Sequence, residues 1–579
     1  MNNILDKLSS KSDAFPDKIA FAFIRKGKKK TDSISFRELD QKSDRAARYL
    51  SNRGFKDGLV TLVLARPSTE FVVLMYAMLK TGAVPLLLPP IEIRKRNGRA
   101  QLRKILNRAS PEGVIGSGAL LAIRRILRLG PRKLRTINIR NLKKFHPNSN
   151  NESDFISKKE IDWTDVPAFV RYTTGSTGPP KGVIYSHGML HSLLRTLESE
   201  GITSDDVFFG RSGTLIIHPL IGISSVSIIA KPRNITGQEI VETISNWGAT
   251  AAFLSPPSAI HLANYLESHA ESHHQLPAML KSLTRIYVGG ETISAGFVST
   301  IESHLSEERP TRGGFHLVYG ATEGFPLCHA QASTIIETHP KTESGMGFCL
   351  GEPVGGIRIR VLSFEDNNEQ FDPSIASEVS GSGPGSILEI SVMGPAVYSS
   401  LIGQDEIEFG GPKTTAHDSL DGTNWHRTGD LGYLDEHGRV WIVGRKAHRV
   451  RSKDGSTLHT KQIEEIFNHS LGIRTALVAG PDNHWPVILV EKDNSPWNEI
   501  EKRLKEEAKR ACRLLGYDGE LTFLQYEGAF PVDAGHEAKI EREKLSDWAK
   551  QRLYCLLYTS DAADEGLGED LGGRRIIKK

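Results

Sequence analysis

Residues Tyr172–Gly182 read Tyr-Thr-Thr-Gly-Ser-Thr-Gly-Pro-Pro-Lys-Gly, with three glycines, four Ser/Thr hydroxyls and a lysine in eleven positions. Glycine lets backbone N–H groups come close to an anion, hydroxyls add donors, and lysine brings a positive charge. The chemistry of such a stretch is phosphate binding, although Gly, Ser, Thr and Pro also make ordinary turns and linkers. The P-loop of kinases and ATPases needs glycine directly before its lysine and Ser or Thr directly after it. Lys181 stands between Pro180 and Gly182, so that loop is excluded.

Further along the chain, Val318-Tyr319-Gly320-Ala321-Thr322-Glu323-Gly324 delivers an aromatic face, a glycine, a hydroxyl and a carboxylate from the end of an apolar stretch. Arg285-Ile286-Tyr287-Val288 ends in Gly289-Gly290-Glu291, and α/β proteins hold ligands where such strands end at the carboxyl edge of a sheet. His426-Arg427-Thr428-Gly429-Asp430-Leu431-Gly432-Tyr433 offers a carboxylate, an acceptor able to hold two hydroxyls at once. Near the end, Phe530–Arg542 contains His536-Glu537-Ala538-Lys539. Taken singly, these are also a tight turn, a solvated loop glutamate and a surface lysine at a charged helix start.

The elements that must position these groups alternate. Ile19–Phe23 predicts a strand, and Ser35 with Glu38 has the form of a capping box opening a helix through Leu39, Ala46 and Leu50. Leu59–Leu64 predicts a strand, Phe71–Lys80 a helix stopped at Gly82, and Ala83–Leu88 another strand. This order implies a parallel sheet covered by helices. Thr250–Leu254 predicts a buried strand, with an amphipathic helix after Ser255-Pro256-Pro257. Residues 91–165 carry no recognisable chemistry, and His146–Ser153 and Asp366–Gly385 read as loops. Beyond Arg445, the segments Gln462–Phe467, Thr475–Val478, Val487–Glu491 and Trp497–Leu515 form a mixed pattern of their own, a small α+β domain.

A chain of 579 residues needs more than one core, and 39% apolar with 25% charged residues is a soluble globular composition. A net charge of +4 is too small at this length to argue for nucleic acid. The basic runs Arg25–Lys30, Arg94–Arg108 and Arg124–Lys144 read as solvated faces, the last two also offering a surface for a partner enzyme. The cysteines Cys328, Cys349, Cys512 and Cys555 show no metal-ligand spacing, which fits a reducing cytoplasmic compartment. The N-terminus lacks a signal-peptide pattern, and the apolar region Phe71–Pro90 is broken by Lys80, Thr81, Gly82 and prolines, which argues against a membrane span. Residues 555–579 open with a run resembling a translated sequencing adapter and are expected to be a non-native or disordered tail, with the native sequence ending near Leu553.

The loop Tyr172–Gly182 and the motifs Val318–Gly324, His426–Tyr433 and Phe530–Arg542, in this order, resemble those of the acyl-adenylate-forming superfamily, which includes acyl-CoA synthetases, peptide-synthetase adenylation domains and firefly luciferase. The resemblance implies a large α/β adenylation domain with layered sheets and helices, residues 1–444, and a small mobile α+β lid, residues 445–554. It implies ATP and Mg²⁺ as cofactors. Thr173, Thr174, Gly175, Ser176, Thr177, Gly178 and Lys181 would hold phosphate. Gly290, Glu291, Tyr319, Gly320 and Thr322 would border adenine, phosphate and acyl group. Asp430 would hold the ribose, and Arg445 would precede the hinge. Glu323 would ligate Mg²⁺ with Thr174 beside it, and Lys539 would reach in from the lid as the catalytic lysine. Gly351-Glu352-Pro353 matches a structural turn of the superfamily, and the neighbourhood of Phe208, Phe209, His218 and Pro219 helps to shape its acyl pocket.

The last motif departs from the Ser-Gly-Lys common in CoA ligases. The hinge region Gly444-Arg445-Lys446-Ala447-His448-Arg449-Val450 lacks their usual acidic residue. With Tyr319–Pro326 and Gly345–Gly351, these features are similar to the β-lactone synthetase branch found in bacterial long-chain olefin biosynthesis, over most of residues 15–553. That similarity implies a long-chain β-hydroxy acid substrate, adenylated and then closed by its own hydroxyl, with His536 or His448 as candidate base. A fatty acyl-CoA ligase or fatty acyl-AMP ligase shares the first half-reaction. A non-catalytic nucleotide-binding relative would have no need of Lys539.

Overall fold

The computed structural model describes residues 4–26, 31–91, 96–131, 133–144, 162–173, 180–210, 215–269, 276–362, 386–397, 401–402, 417–418, 425–492, 495–533, 535 and 537–566. Thr174–Gly178, His536, the expected loops His146–Ser153 and Asp366–Gly385, and residues 567–579 therefore lie outside the described residues, wholly or for the greater part.

The alternation in the first part of the chain builds a sheet of seven strands. Val60–Leu64 lies between Val84–Leu87 and Gly113–Gly116, all parallel, and Val84–Leu87 continues in parallel to Pro167–Tyr172. Gly182–Ser186 then returns antiparallel to Pro167–Tyr172. Both faces are covered, and the period of two shows in the burial. Val63 and Ile115 pack towards the helices Phe36–Ser51 and Thr69–Thr81, while Leu62 and Val114 meet Leu102, Ile105 and Leu106 of the helix Arg96–Ala109. The capping box at Ser35 and Glu38 is formed, and Gly82 ends the helix Thr69–Thr81 in the left-handed conformation. The additional strand Asp32–Ser35, too short to show a period, pairs with Ile19–Arg25.

The second sheet has fourteen strands and two halves of different character. Val207–Gly210, Ala251–Leu254, Arg285–Gly289 and Gly314–Ala321 run parallel, joined by helices such as Pro256–His269. At Gly314–Ala321 the pattern changes. Gly324–Gln331 turns back antiparallel, followed by Phe348–Pro353, Val440–Arg445 and Trp425–Leu434. Residues Thr322 and Glu323 form the turn where parallel becomes antiparallel.

Two local expectations are corrected here. Gly351-Glu352-Pro353 is the end of a strand, Phe348–Pro353, and not a free turn, because Cys328 and His329 pair with Pro353 and Glu352. Lys539 is not in a helix start: the helix begins at Arg542, and Lys539 sits in a loop closed by a bridge between Val532 and Ile540. The proline and glycine of Phe530–Gly535 and the ring of bonds around Asp533, described below, keep that segment from winding.

The smaller C-terminal domain has its own core. Thr475–Ala479, Pro486–Glu491 and Thr522–Tyr526 form a three-stranded sheet. The helices Thr460–Leu471 and Trp497–Leu515 cover one face, through Ile463, Phe467, Ile500 and Leu504, and the helix Arg542–Gly566 covers the other through Leu545, Ala549 and Leu553. That last helix continues across Cys555–Glu565, a run without proline or glycine. No described helix is long and apolar enough to cross a membrane.

Gly351 has φ of +75°, and a β-carbon there would stand 1.9 Å from the carbonyl oxygen of His329. Both the conformation and the close approach require glycine. Gly351→Ala is expected to push Phe348–Pro353 off its neighbour and cost about 1–3 kcal/mol, the scale of one strained backbone position, read as a lower urea midpoint. An unchanged midpoint would mean that the strand shifts freely.

Candidate active site

The expected phosphate loop is described at its two ends. Thr173 N donates to the carbonyl of Lys181 at 2.9 Å, and Lys181 N donates to Thr173 Oγ1 at 3.0 Å. These reciprocal bonds extend the hairpin Pro167–Tyr172 and Gly182–Ser186 by one rung and clamp the base of the loop. Tyr185, on the second strand, donates from its hydroxyl to the carbonyl of Thr322 at 2.6 Å. One hydrogen bond thus ties the strand following the loop in the first sheet to the Thr322–Glu323 turn of the second.

Asp430 lies in the strand Trp425–Leu434 directly opposite Arg445 in Val440–Arg445. Its side chain is 6% exposed, and Arg445 Nε stands 3.0 Å from Oδ1. Tyr319 Oη donates to Oδ2 at 2.6 Å, and Thr428 Oγ1 accepts from Asp430 N at 3.1 Å. Burial pushes the Tyr319 phenol well above its ordinary range, and the neighbouring Asp430 charge pushes it further. The Arg445 guanidinium is held above its usual value chiefly by Asp430, against burial, with Tyr319, Glu323 and Glu291 acting in the same direction. Gly320 sits within this group because a β-carbon there would meet Phe325 Cδ2 at 2.8 Å and the Gly324 carbonyl at 2.9 Å. Tyr319, Asp430 and Arg445 therefore meet in one candidate cleft, and the half-buried Glu323, on the turn that follows Tyr319, is near enough for its charge to act on Arg445.

Gly290 and Glu291 follow the strand Arg285–Gly289, as expected, but the structure gives Glu291 a partner that the sequence did not signal. Lys461, in the first turn of the helix Thr460–Leu471, brings Nζ to 2.8 Å from Glu291 Oε1 and donates to Thr292 Oγ1 at 2.9 Å. Burial alone would raise the Glu291 carboxyl, but Lys461 overrides it and brings the pKa down to about 2, with Lys539 contributing in the same direction. The charge of Lys539 thus reaches the large domain.

The Lys539 loop is organised by Asp533, also unforeseen. Its Oδ1 accepts from Lys539 N at 3.0 Å and Ala538 N at 3.3 Å, and its Oδ2 from Gly535 N at 3.0 Å. Glu537 has the uncommon φ of +54° and docks on the large domain, where its Oε2 accepts from Arg233 N at 3.0 Å. The candidate base His448 lies 3.4 Å from Glu543 of the last helix, and His536 is outside the described residues. Lys461, Asp533 and Glu537 had no local signature, since each acts through a residue distant in sequence or through its own backbone ring.

An apolar cavity opens between the helix His187–Ser199 and the parallel strands, lined by Leu193, Leu197, Phe208, Phe253, Val318 and Phe325. Val318 and Phe325 bracket the Tyr319–Gly324 segment, so the cavity adjoins the cleft. His329 and Glu200 add polar groups to the lining, their Nδ1 and Oε2 being 3.8 Å apart. Phe208 lines the cavity as the resemblance implies, whereas His218 is core: fully buried, bonded to Ser225 at 2.8 Å and pushed down to about 3 by burial.

A doubly built α/β body, a small domain presenting a lysine to it and a cleft with these motifs define an adenylate-forming enzyme. The AMP-binding enzyme family matches residues 8–388, and the chain belongs to that family. It is 31% identical over 544 residues to the olefin beta-lactone synthetase of Stenotrophomonas maltophilia, covering 90% of this chain and 92% of that one. It is 30% identical to the protein of the same name from Xanthomonas campestris, covering 90% and 91%. Among solved structures, fatty acyl-adenylate ligases from E. coli and L. pneumophila share the fold at a TM-score of 0.72 and 16% identity, covering 96% of this chain and 98% of that one. O-succinylbenzoate coenzyme A synthetase from Bacillus subtilis, in complex with ATP and magnesium ion, does so at 0.66 and 18%, covering 93% and 98%. Members of this family use ATP.

Glu291 has a depressed carboxyl pKa in the folded protein, so its pairing with Lys461 contributes stability above the unfolded value of about 4.5 and loses it as pH falls towards about 2. Lys461→Met is expected to unfold more easily than the parent at neutral pH, with the difference shrinking across that window. Unfolding curves recorded against pH check this, and a difference that stays constant down to the acid limit would refute it.

Proposed function

We propose that the protein activates a long-chain β-hydroxy acid as its acyl-adenylate and then closes it to a β-lactone. The observation that carries this reading is the end-to-end similarity to two olefin beta-lactone synthetases. The apolar cavity beside the cleft agrees with a fatty acyl chain. The working unit is a body of residues 1–444 and a lid of residues 445–554.

In the first step a carboxylate oxygen of the acid attacks the α-phosphorus of ATP, and the bond to pyrophosphate breaks. The loop Thr173, Thr174, Gly175, Ser176, Thr177, Gly178 and Lys181 holds the phosphates, and Asp430, fixed by Tyr319 and Arg445, accepts from the ribose hydroxyls. Glu323, with the Thr174 hydroxyl, supplies the hard oxygens that suit Mg²⁺, which when bound neutralises phosphate charge. Lys539 stabilises the charge that develops on the phosphates as pyrophosphate departs. In the second step the β-hydroxyl oxygen attacks the activated carbonyl carbon, His536 takes its proton, and AMP leaves. The attack is intramolecular, so no thiol acceptor has to bind.

Mass spectrometry of products formed from ATP, Mg²⁺ and a long-chain β-hydroxy acid, with and without CoA, tests this. Loss of water from the acid with release of AMP, independent of CoA, is expected, whereas a thioester formed only with CoA would assign a CoA ligase instead. Lys539→Ala is expected to slow adenylate formation about 10²–10³-fold, the range seen when one group stabilising developing charge is removed. His536→Gln should spare ATP–pyrophosphate exchange and slow lactone release. Equal lactone rates would remove His536 from that role.

A further inference from the structure

The helix Ala332–Glu343 of the large domain presents His339 and Glu343 one turn apart, with His339 Nε2 2.9 Å from Glu343 Oε1. The helix Thr460–Leu471 of the small domain brings His469 Nε2 against the same carboxylate oxygen. The imidazoles of His339 and His469 meet edge to face, 4.7 Å between centroids. One ligand atom from each of the three side chains lies within 4.8 Å of the others. Both ion-pair partners of Glu343 among the described residues are imidazoles, so no permanent cation holds it.

We propose that His339, Glu343 and His469 form a binding site for a transition-metal dication of the Zn²⁺ type, shared between the two domains. Two imidazole nitrogens and one carboxylate oxygen are the donor set that Zn²⁺ favours over Mg²⁺ or Ca²⁺. Around a tetrahedral Zn²⁺ with bonds of about 2.0–2.2 Å the donors stand about 3.3 Å apart, so the present cluster needs only small side-chain rotations. The side chains are 26%, 28% and 48% exposed, which leaves an entry path and room for water as a fourth ligand. The docking of its helix already brings the third ligand to the other two. Gln462, Ile466 and His469 fall on one face of their helix, Gln462 Nε2 donates to the Gly345 carbonyl at 2.8 Å, and Ile466 packs over Gly345. A cation seated there would be coordinated by both domains at once and would hold them in this arrangement. The site is remote in role from the nucleotide cleft and does not depend on which acid the enzyme activates.

The test uses the full-length chain, stripped with chelator and titrated with Zn²⁺ alone near neutral pH, with Mg²⁺ as the control ion. The parent is expected to bind Zn²⁺ and not Mg²⁺ at this site, and His469→Gln and His339→Gln are each expected to weaken it by at least about tenfold. Circular dichroism verifies that both variants remain folded. Amide exchange gives the second readout: Zn²⁺ should slow exchange in both 332–343 and 460–471 of the parent. Binding unchanged in both variants would overturn the site. Protection confined to 332–343 would overturn the bridge, because the pair on one helix would then suffice.

Discussion

The carboxylate of Asp430 is buried, and a buried charge must be paired or it is not tolerated. Its two oxygens are taken by Arg445 and Tyr319, which stand on different strands of the large sheet. Tyr319 is at the end of the last parallel strand, whereas Asp430 and Arg445 belong to the antiparallel half. The requirement to neutralise one carboxylate therefore joins the two halves of the sheet at the place where its direction of pairing changes. Tyr185 then adds the first sheet through the Thr322 carbonyl. The cleft is where three separately built surfaces are held in register by these few polar contacts, and their burial makes each contact costly to lose.

Much of this was legible because the groups concerned follow one another closely in sequence. The strand ending in Gly289-Gly290-Glu291, the capping box at Ser35 and Glu38 and the helix stopped at Gly82 follow from local pattern and composition, and the structure has each of them. Gly351 lies where the resemblance implies a turn, a reading that local composition neither made nor tested. Its positive φ instead serves a bulge inside a paired strand, where the neighbouring carbonyl leaves no room for a side chain. The bland alternative for Lys539, a surface lysine at a charged helix start, fails on the backbone, since the helix begins only at Arg542. The ring of backbone bonds to Asp533 holds the preceding residues in a loop, and an aspartate in a polar stretch gives no sign of such a role.

Lys461 shows most clearly what local pattern does not carry. It is one lysine at the head of an amphipathic helix, an ordinary solvated position by every sequence criterion. Its meaning comes from Glu291, which lies in another domain and whose own local reading was a tight turn. Pairings of this kind are set by the docking of two independently folded bodies, so neither partner needs a distinctive neighbourhood.

The manner of that docking sets how strongly the two domains hold each other. The small domain completes its own apolar cores through Ile463, Phe467, Leu504 and Leu545, without residues of the large domain. Its contacts with the body include Lys461 with Glu291, Glu537 with Arg233, and Gln462 with the Gly345 carbonyl, beside a limited apolar contact of Ile466 and Leu515 with Gly345. Water can replace polar contacts at small net cost, whereas separating an apolar interface costs in proportion to the area exposed. A domain held in this way has cores that do not depend on the body, and the loop that carries Lys539 is shaped by Asp533 of the same small domain. Lys539 is thus carried on a unit whose own cores need nothing from the body, and what joins that unit to the body is a small set of ionic and hydrogen-bonded contacts with one limited apolar contact at Gly345.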